Sequence, residues 1–122
     1  MPNLLFVMIG GAVGAGLRYE AGRLAVRQLG GGFPWGTLAV NLVGALLIGA
    51  LAGAFGPDPE KPLWLLLAVG VLGGFTTFSA FGLELFTMLG RGQAAMAGLY
   101  AGASVLGSLA LVAAGYSIAR AA

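Results

Sequence analysis

The chain has 122 residues, 59% of them hydrophobic and 8% charged, with a mean hydropathy of +0.97. Six basic and four acidic side chains cannot clothe a soluble fold, whose charged share averages roughly 25%, so this is the sequence of an integral membrane protein. Without His or Cys, zinc sites of the usual kinds, haem attachment, thiol catalysis and Ser-His-Asp triads are excluded, and the net charge of +2 forms no basic run for nucleic acid.

Four spans follow from the gaps between charges, since a spanning helix needs about 20 mostly apolar residues. The first is placed near Leu4–Gln28 and must run on past Arg18 to reach full length. Its opening, Met-Pro-Asn-Leu-Leu-Phe, lacks a basic leader and reads as the start of this helix and not as a removable signal. Gly10, Gly14 and Arg18 share one face, so the Arg18 guanidinium either reaches protein or a vestibule, or snorkels to the headgroups. Gly30-Gly31-Gly32 and Phe33-Pro34 break the chain before the second span, Pro34–Phe55, with Trp35 near its interface. Thr37 and Asn41 lie one turn apart within it. A buried Asn needs partners for both ends of its amide, so Asn41 is either glue between helices or a donor to a permeating anion.

Gly56-Pro57-Asp58-Pro59 ends that span, and Asp58, Glu60 and Lys61 make a solvated loop. Pro62 suits the first turn of the third span, Pro62–Leu89. At its centre stands Gly73-Gly74-Phe75-Thr76-Thr77-Phe78-Ser79-Ala80-Phe81, a poor helix centre. Either the helix is discontinuous there, freeing carbonyls and amides for ions, or Thr and Ser bond back to their own helix. Phe78 and Phe81 are three apart, hence on one helical face, either as simple packing or with ring edges of positive potential bordering an anion path. Glu84, one turn beyond Phe81, pairs with an arginine or reaches solvent. After Gly90-Arg91-Gly92 the fourth span, Gln93–Ala119, sets Tyr100, Ser104 and Ser108 at i, i+4 and i+8 as a hydroxyl stripe.

Two features bear on assembly. Arg23, Arg27 and Arg91 on one side face Lys61 and Arg120 on the other, a weak bias that fits either one ill-marked topology or insertion both ways round. The 23 glycines, about 19% of the 122 residues against an average near 7%, place small residues at Gly10-Gly14, Gly44 with Ala45, Gly49-Gly53 and Gly98-Gly102, for packing within a protomer, between protomers, or both.

Three segments carry a family resemblance. Gly10-Gly11-Ala12-Val13-Gly14-Ala15-Gly16-Leu17-Arg18-Tyr19, Gly36-Thr37-Leu38-Ala39-Val40-Asn41-Leu42-Val43-Gly44 and the third-span motif from Gly73 to Phe81 resemble, in order and spacing, the Fluc (CrcB-like) fluoride channels over essentially the whole chain. Ala80 stands where that signature most often has Thr. The resemblance implies an all-α protein of four transmembrane helices with a break in the third, assembled as an antiparallel dual-topology homodimer with two pores. It implies a multi-pass protein of the bacterial inner membrane that exports fluoride passively. It further implies a structural sodium ion held by the carbonyls of Gly73 and Thr76 from both subunits. Phe78 and Phe81 would form the aromatic box, Asn41 would bond the anion, and Tyr100, Ser104 and Ser108 would form the polar track. Thr37, Arg18 and Glu84 would belong to the pore region. Two alternatives stand beside it: a small dual-topology, proton-coupled multidrug antiporter, which Glu20 and Glu84 serve poorly from near the span ends, and a non-transporting membrane-organising protein.

Overall fold

The computed structural model describes residues 2–122, which form four helices long and apolar enough to cross a membrane. α1 spans Pro2–Leu29 and α2 spans Trp35–Phe55. The third span, Pro62–Gly90, has two limbs. The first, α3 (residues 62–75), runs through Pro62–Trp64 in α geometry, Leu65–Leu72 in the wider π geometry and Gly73–Phe75 in α geometry again. The second, α4, is Ser79–Gly90, and the last helix, α5, is Ala94–Ala121. Between the limbs Thr76 is extended, with φ −87° and ψ 161°.

Why the helices stop where they do is visible at the hairpins. α1 and α2 end on Gly30 and Gly56, and Gly92 turns the chain between α4 and α5. All three have φ between +75° and +79°, a conformation costly for any residue with a Cβ. Gly30 and Gly56 donate back to Val26 O at 2.8 Å and Ala52 O at 3.0 Å, satisfying carbonyls that the helix end would orphan.

In the bilayer no hydrophobic force drives helix against helix, so close approach of backbones must supply the packing. The glycines do this within the protomer. A Cβ at Gly10 or Gly14 would meet backbone atoms of Leu66, Val71 and Phe75 on α3, and one at Gly70 or Gly74 would meet Gly10 or Gly11 on α1. α2 and α5 are joined in the same way, Gly49 and Gly53 against Val112 and Tyr116, and Gly115 against Leu46 and Ala50. Gly98 and Gly102 differ: none of the described residues lies within 4 Å of where their Cβ atoms would be. The buried apolar cluster, Phe81, Met88, Ala97 and Tyr100, sits between α4 and α5, while residues such as Leu106, Leu109 and Ile118 turn outward.

Replacing Gly14 or Gly49 with Val therefore forces two backbones apart, at a cost of about 1–3 kcal/mol each, whereas Gly98→Ala leaves the protomer's packing unaltered. Thermal unfolding of the purified variants in detergent checks the contrast.

Candidate functional site

The site grows from the interruption between α3 and α4. Thr76 sends both its N–H (3.0 Å) and its Oγ1 (2.9 Å) to Leu72 O, closing off the first limb. Thr77 leaves the helical ladder and is taken up by α2: Asn41 Nδ2 donates to Thr77 O at 2.9 Å, and Thr77 N–H donates to Asn41 Oδ1 at 2.8 Å. One side-chain amide so satisfies both backbone groups of one residue. Thr77 Oγ1 in turn accepts from Ala80 N–H at 3.2 Å, capping the start of α4. Arg18 reaches across from α1 and donates Nε–H to Gly74 O at 3.0 Å. Among the described residues the carbonyls of Gly73, Phe75 and Thr76 accept no backbone bond. Unwound carbonyls are the donors that sodium takes in broken membrane helices, so Gly73 and Thr76 fit such an ion chemically. Gly73 is exposed, and a Cβ there would meet only Ala68 O, at 3.9 Å.

Alongside runs an open groove of about 490 Å³ that brings together Asn41, Gly73, Thr76, Phe78, Phe81, Ser104 and Ser108. The two phenylalanines do not form one helical stripe. α4 begins at Ser79, so Phe78 precedes it, and the rings part: Phe78 is 82% exposed and Phe81 only 7%, their centroids 5.8 Å apart. Ser104 is buried, and its Oγ has no hydrogen-bond partner among the described residues. Such a group is costly in an apolar setting unless something else bonds to it.

Four sequence-expected residues lie off this groove. Thr37, Glu84 and Tyr100 form a cluster of their own: Thr37 Oγ1 donates to Glu84 Oε2 at 2.9 Å, and Tyr100 OH donates to Glu84 Oε1 at 2.8 Å. Among the described residues Glu84 pairs with no arginine; two hydroxyls, one on each of its oxygens, hold it. The cluster touches the groove through the Tyr100 ring, 5.1 Å from Phe81 in an edge arrangement, and Phe33 abuts the other side of Tyr100 at 5.3 Å. Arg18 lines a separate cavity of about 620 Å³ with Arg23, Arg27, Thr37 and Thr77. Among the described residues the only ion pair is Arg23–Glu20 at 3.0 Å, on the exposed face of α1.

Three participants have no role at the site assigned from the sequence. Thr77 lines both cavities and takes the Asn41 amide, Gly44 receives the Thr76 methyl, and Phe33 packs on Tyr100 from a loop. Two mid-span polar residues on different helices were the available sign of the Asn41–Thr77 pairing; nothing in the sequence marked Phe33.

Comparison with known proteins gives a consistent result. A family model described as CrcB-like protein, Camphor Resistance (CrcB), matches residues 5–116. A relative named fluoride-specific ion channel FluC, from Hyphomonas neptunium, is 55% identical over 111 residues, covering 87% of this chain and 86% of its own. Relatives of the same name from Rhizobium johnstonii and Novosphingobium aromaticivorans are 48% and 51% identical, each aligned over 98% or more of both chains.

Tyr100→Phe deletes a donor to a half-buried carboxylate and should destabilise the fold by about 1–3 kcal/mol. Thr37→Val should do the same from the other side. Unfolding the variants in detergent measures both, and the double variant should cost less than the sum because the two hydroxyls share one partner.

Proposed function

Since this chain belongs to the family of CrcB-like proteins, we propose that it conducts fluoride: it is a fluoride-specific ion channel and not an enzyme. The observation that carries the reading beyond the family is the groove at the interrupted third span, where an amide, two serine hydroxyls and two aromatic rings stand together in an otherwise apolar surface. Fluoride is small and strongly hydrated. A pore for it must replace water with closely set donors and avoid a fixed charge that would trap the ion. Ser104 supplies a hydroxyl with no other partner among the described residues, and Ser108 follows one turn on. Asn41 has one amide hydrogen left after serving Thr77. Phe78 and Phe81 offer ring edges. Tyr100, Thr37 and Glu84 continue the polar path beyond Phe81, and Arg18 with its neighbouring arginines lends positive potential at the approach. An inside-negative potential drives an anion outward by ~2.3 kcal/mol per charge at 100 mV, so passive flow suffices for export across a bacterial inner membrane.

The active unit in this reading is an antiparallel, dual-topology homodimer with two pores. Support comes from the groove being open on one side, from Phe78 lying 82% exposed beside it, and from the nearly balanced loop charges. The carbonyls of Gly73 and Thr76 from both subunits would hold a sodium ion, whose charge ties the interrupted spans together and adds positive potential between the pores. The relatives compared are named channels, which leaves the proton-coupled antiporter and the membrane-organising protein without support.

Purified protein in liposomes, given a potassium–valinomycin shunt, should lose fluoride rapidly and electrogenically while retaining chloride; retention of fluoride by folded protein would overturn the reading. Phe78→Ile should slow fluoride efflux by about ten-fold or more if ring edges line the path. Replacing internal and external sodium with a large organic cation should lower the efflux rate, and an unchanged rate would count against the central cation.

A further inference from the structure

We infer that α1 and α2 together select which carbonyls of the interrupted stretch remain open to a cation, through Arg18, Asn41 and Gly44 acting as positioning residues. The inference rests on the sodium site proposed above. From Gly73 to Thr77 the chain offers five carbonyls where the first limb ends. Arg18 occupies the Gly74 oxygen and Asn41 the Thr77 oxygen, at 3.0 and 2.9 Å, while those of Gly73, Phe75 and Thr76 accept no backbone bond. The guanidinium does more than fill one acceptor: its charge, one peptide from Gly73 O, opposes any cation settling on the α1 side.

Gly44 sets the position of Thr76. The methyl of Thr76 lies in the space that a Gly44 side chain would take, so a Cβ there would collide with it. Thr76 cannot turn the methyl aside without giving up its Oγ1 bond to Leu72 O, because both groups move on one χ1 torsion. An added methyl on α2 is therefore relieved by displacing Thr76 and its free carbonyl. Asn41, one turn earlier on α2, holds the next residue, Thr77, by both its N–H and its C=O. Residues on α2 one turn apart so fix two consecutive residues of the interruption.

The experiment compares thermal unfolding of protein in sodium against a large organic cation, and amide hydrogen exchange at residues 76–80 in sodium-free buffer. Wild-type protein should melt higher as sodium rises. If it does not, the sodium reading fails, and hydrogen exchange still tests the positioning. Gly44→Ala should raise the sodium concentration for half-maximal stabilisation about ten-fold or more, while Gly90→Ala, whose Cβ would enter open space, should match wild type. Arg18→Gln removes the opposing charge and should lower the half-point about three-fold; it also stands in should Gly44→Ala fail to fold. Asn41→Ala should speed exchange of the Thr77 amide about ten-fold or more. Wild-type sodium dependence in folded Gly44→Ala, an unchanged or raised half-point in Arg18→Gln, or wild-type exchange in Asn41→Ala would each overturn the inference.

Discussion

A backbone group left without a partner in hydrocarbon costs several kcal/mol, and the pairing of Asn41 with Thr77 is the answer to that constraint on which the rest of this protein depends. The third span can leave helical geometry at Thr76 only because α2 offers one amide able both to donate and to accept at the next residue. A Ser or Thr in place of Asn offers a single oxygen for both groups, on a shorter side chain. Around this pairing the other polar atoms of the centre fall into order: Arg18 on Gly74, Thr76 on Leu72, and Thr77 on the start of α4.

The helices that carry these groups are held by a different force. α1 meets α3 and α2 meets α5 through glycine backbones in contact, so their spacing is set by main chain and not by side-chain shape. This gives the hydrogen bonds at the centre a fixed frame. An Asn–peptide bond at 2.8–2.9 Å tolerates little relative movement of its two helices. Precise polar contacts and close apolar packing are two halves of one arrangement, and the polar groups of the groove are presented from within it.

Much of this was legible in the letters, and the physical reasons are particular. Hydropathy over a window of span length is a strong signal, so the four membrane-crossing helices could be read from charge gaps and hairpin glycines. The polar residues of the groove were legible as a set because Asn, Thr and Ser are conspicuous in an apolar helix. Their partners were not. The sequence does not name the two hydroxyls from α2 and α5 that hold Glu84, because nothing local encodes which helices face each other. The spacing of Phe78 and Phe81 predicts one helical face, but the helix starts between them, so their exposures differ widely. The glycine pairs illustrate the same limit: identical spacing serves contact within the protomer at Gly10-Gly14 and Gly49-Gly53 but not at Gly98-Gly102.

That difference among the glycines has a consequence for how the sequence can change over time. Where a side chain meets another side chain, an enlargement on one helix can be matched by a reduction on the other, and the pair can drift together. Gly10, Gly14, Gly70 and Gly74 meet backbone, which has nothing to shrink. No second substitution restores the fit, so these positions are held individually, without a compensating path. Gly98 and Gly102 have open space before them within the chain, and any constraint upon them must come from whatever lies beyond the protomer.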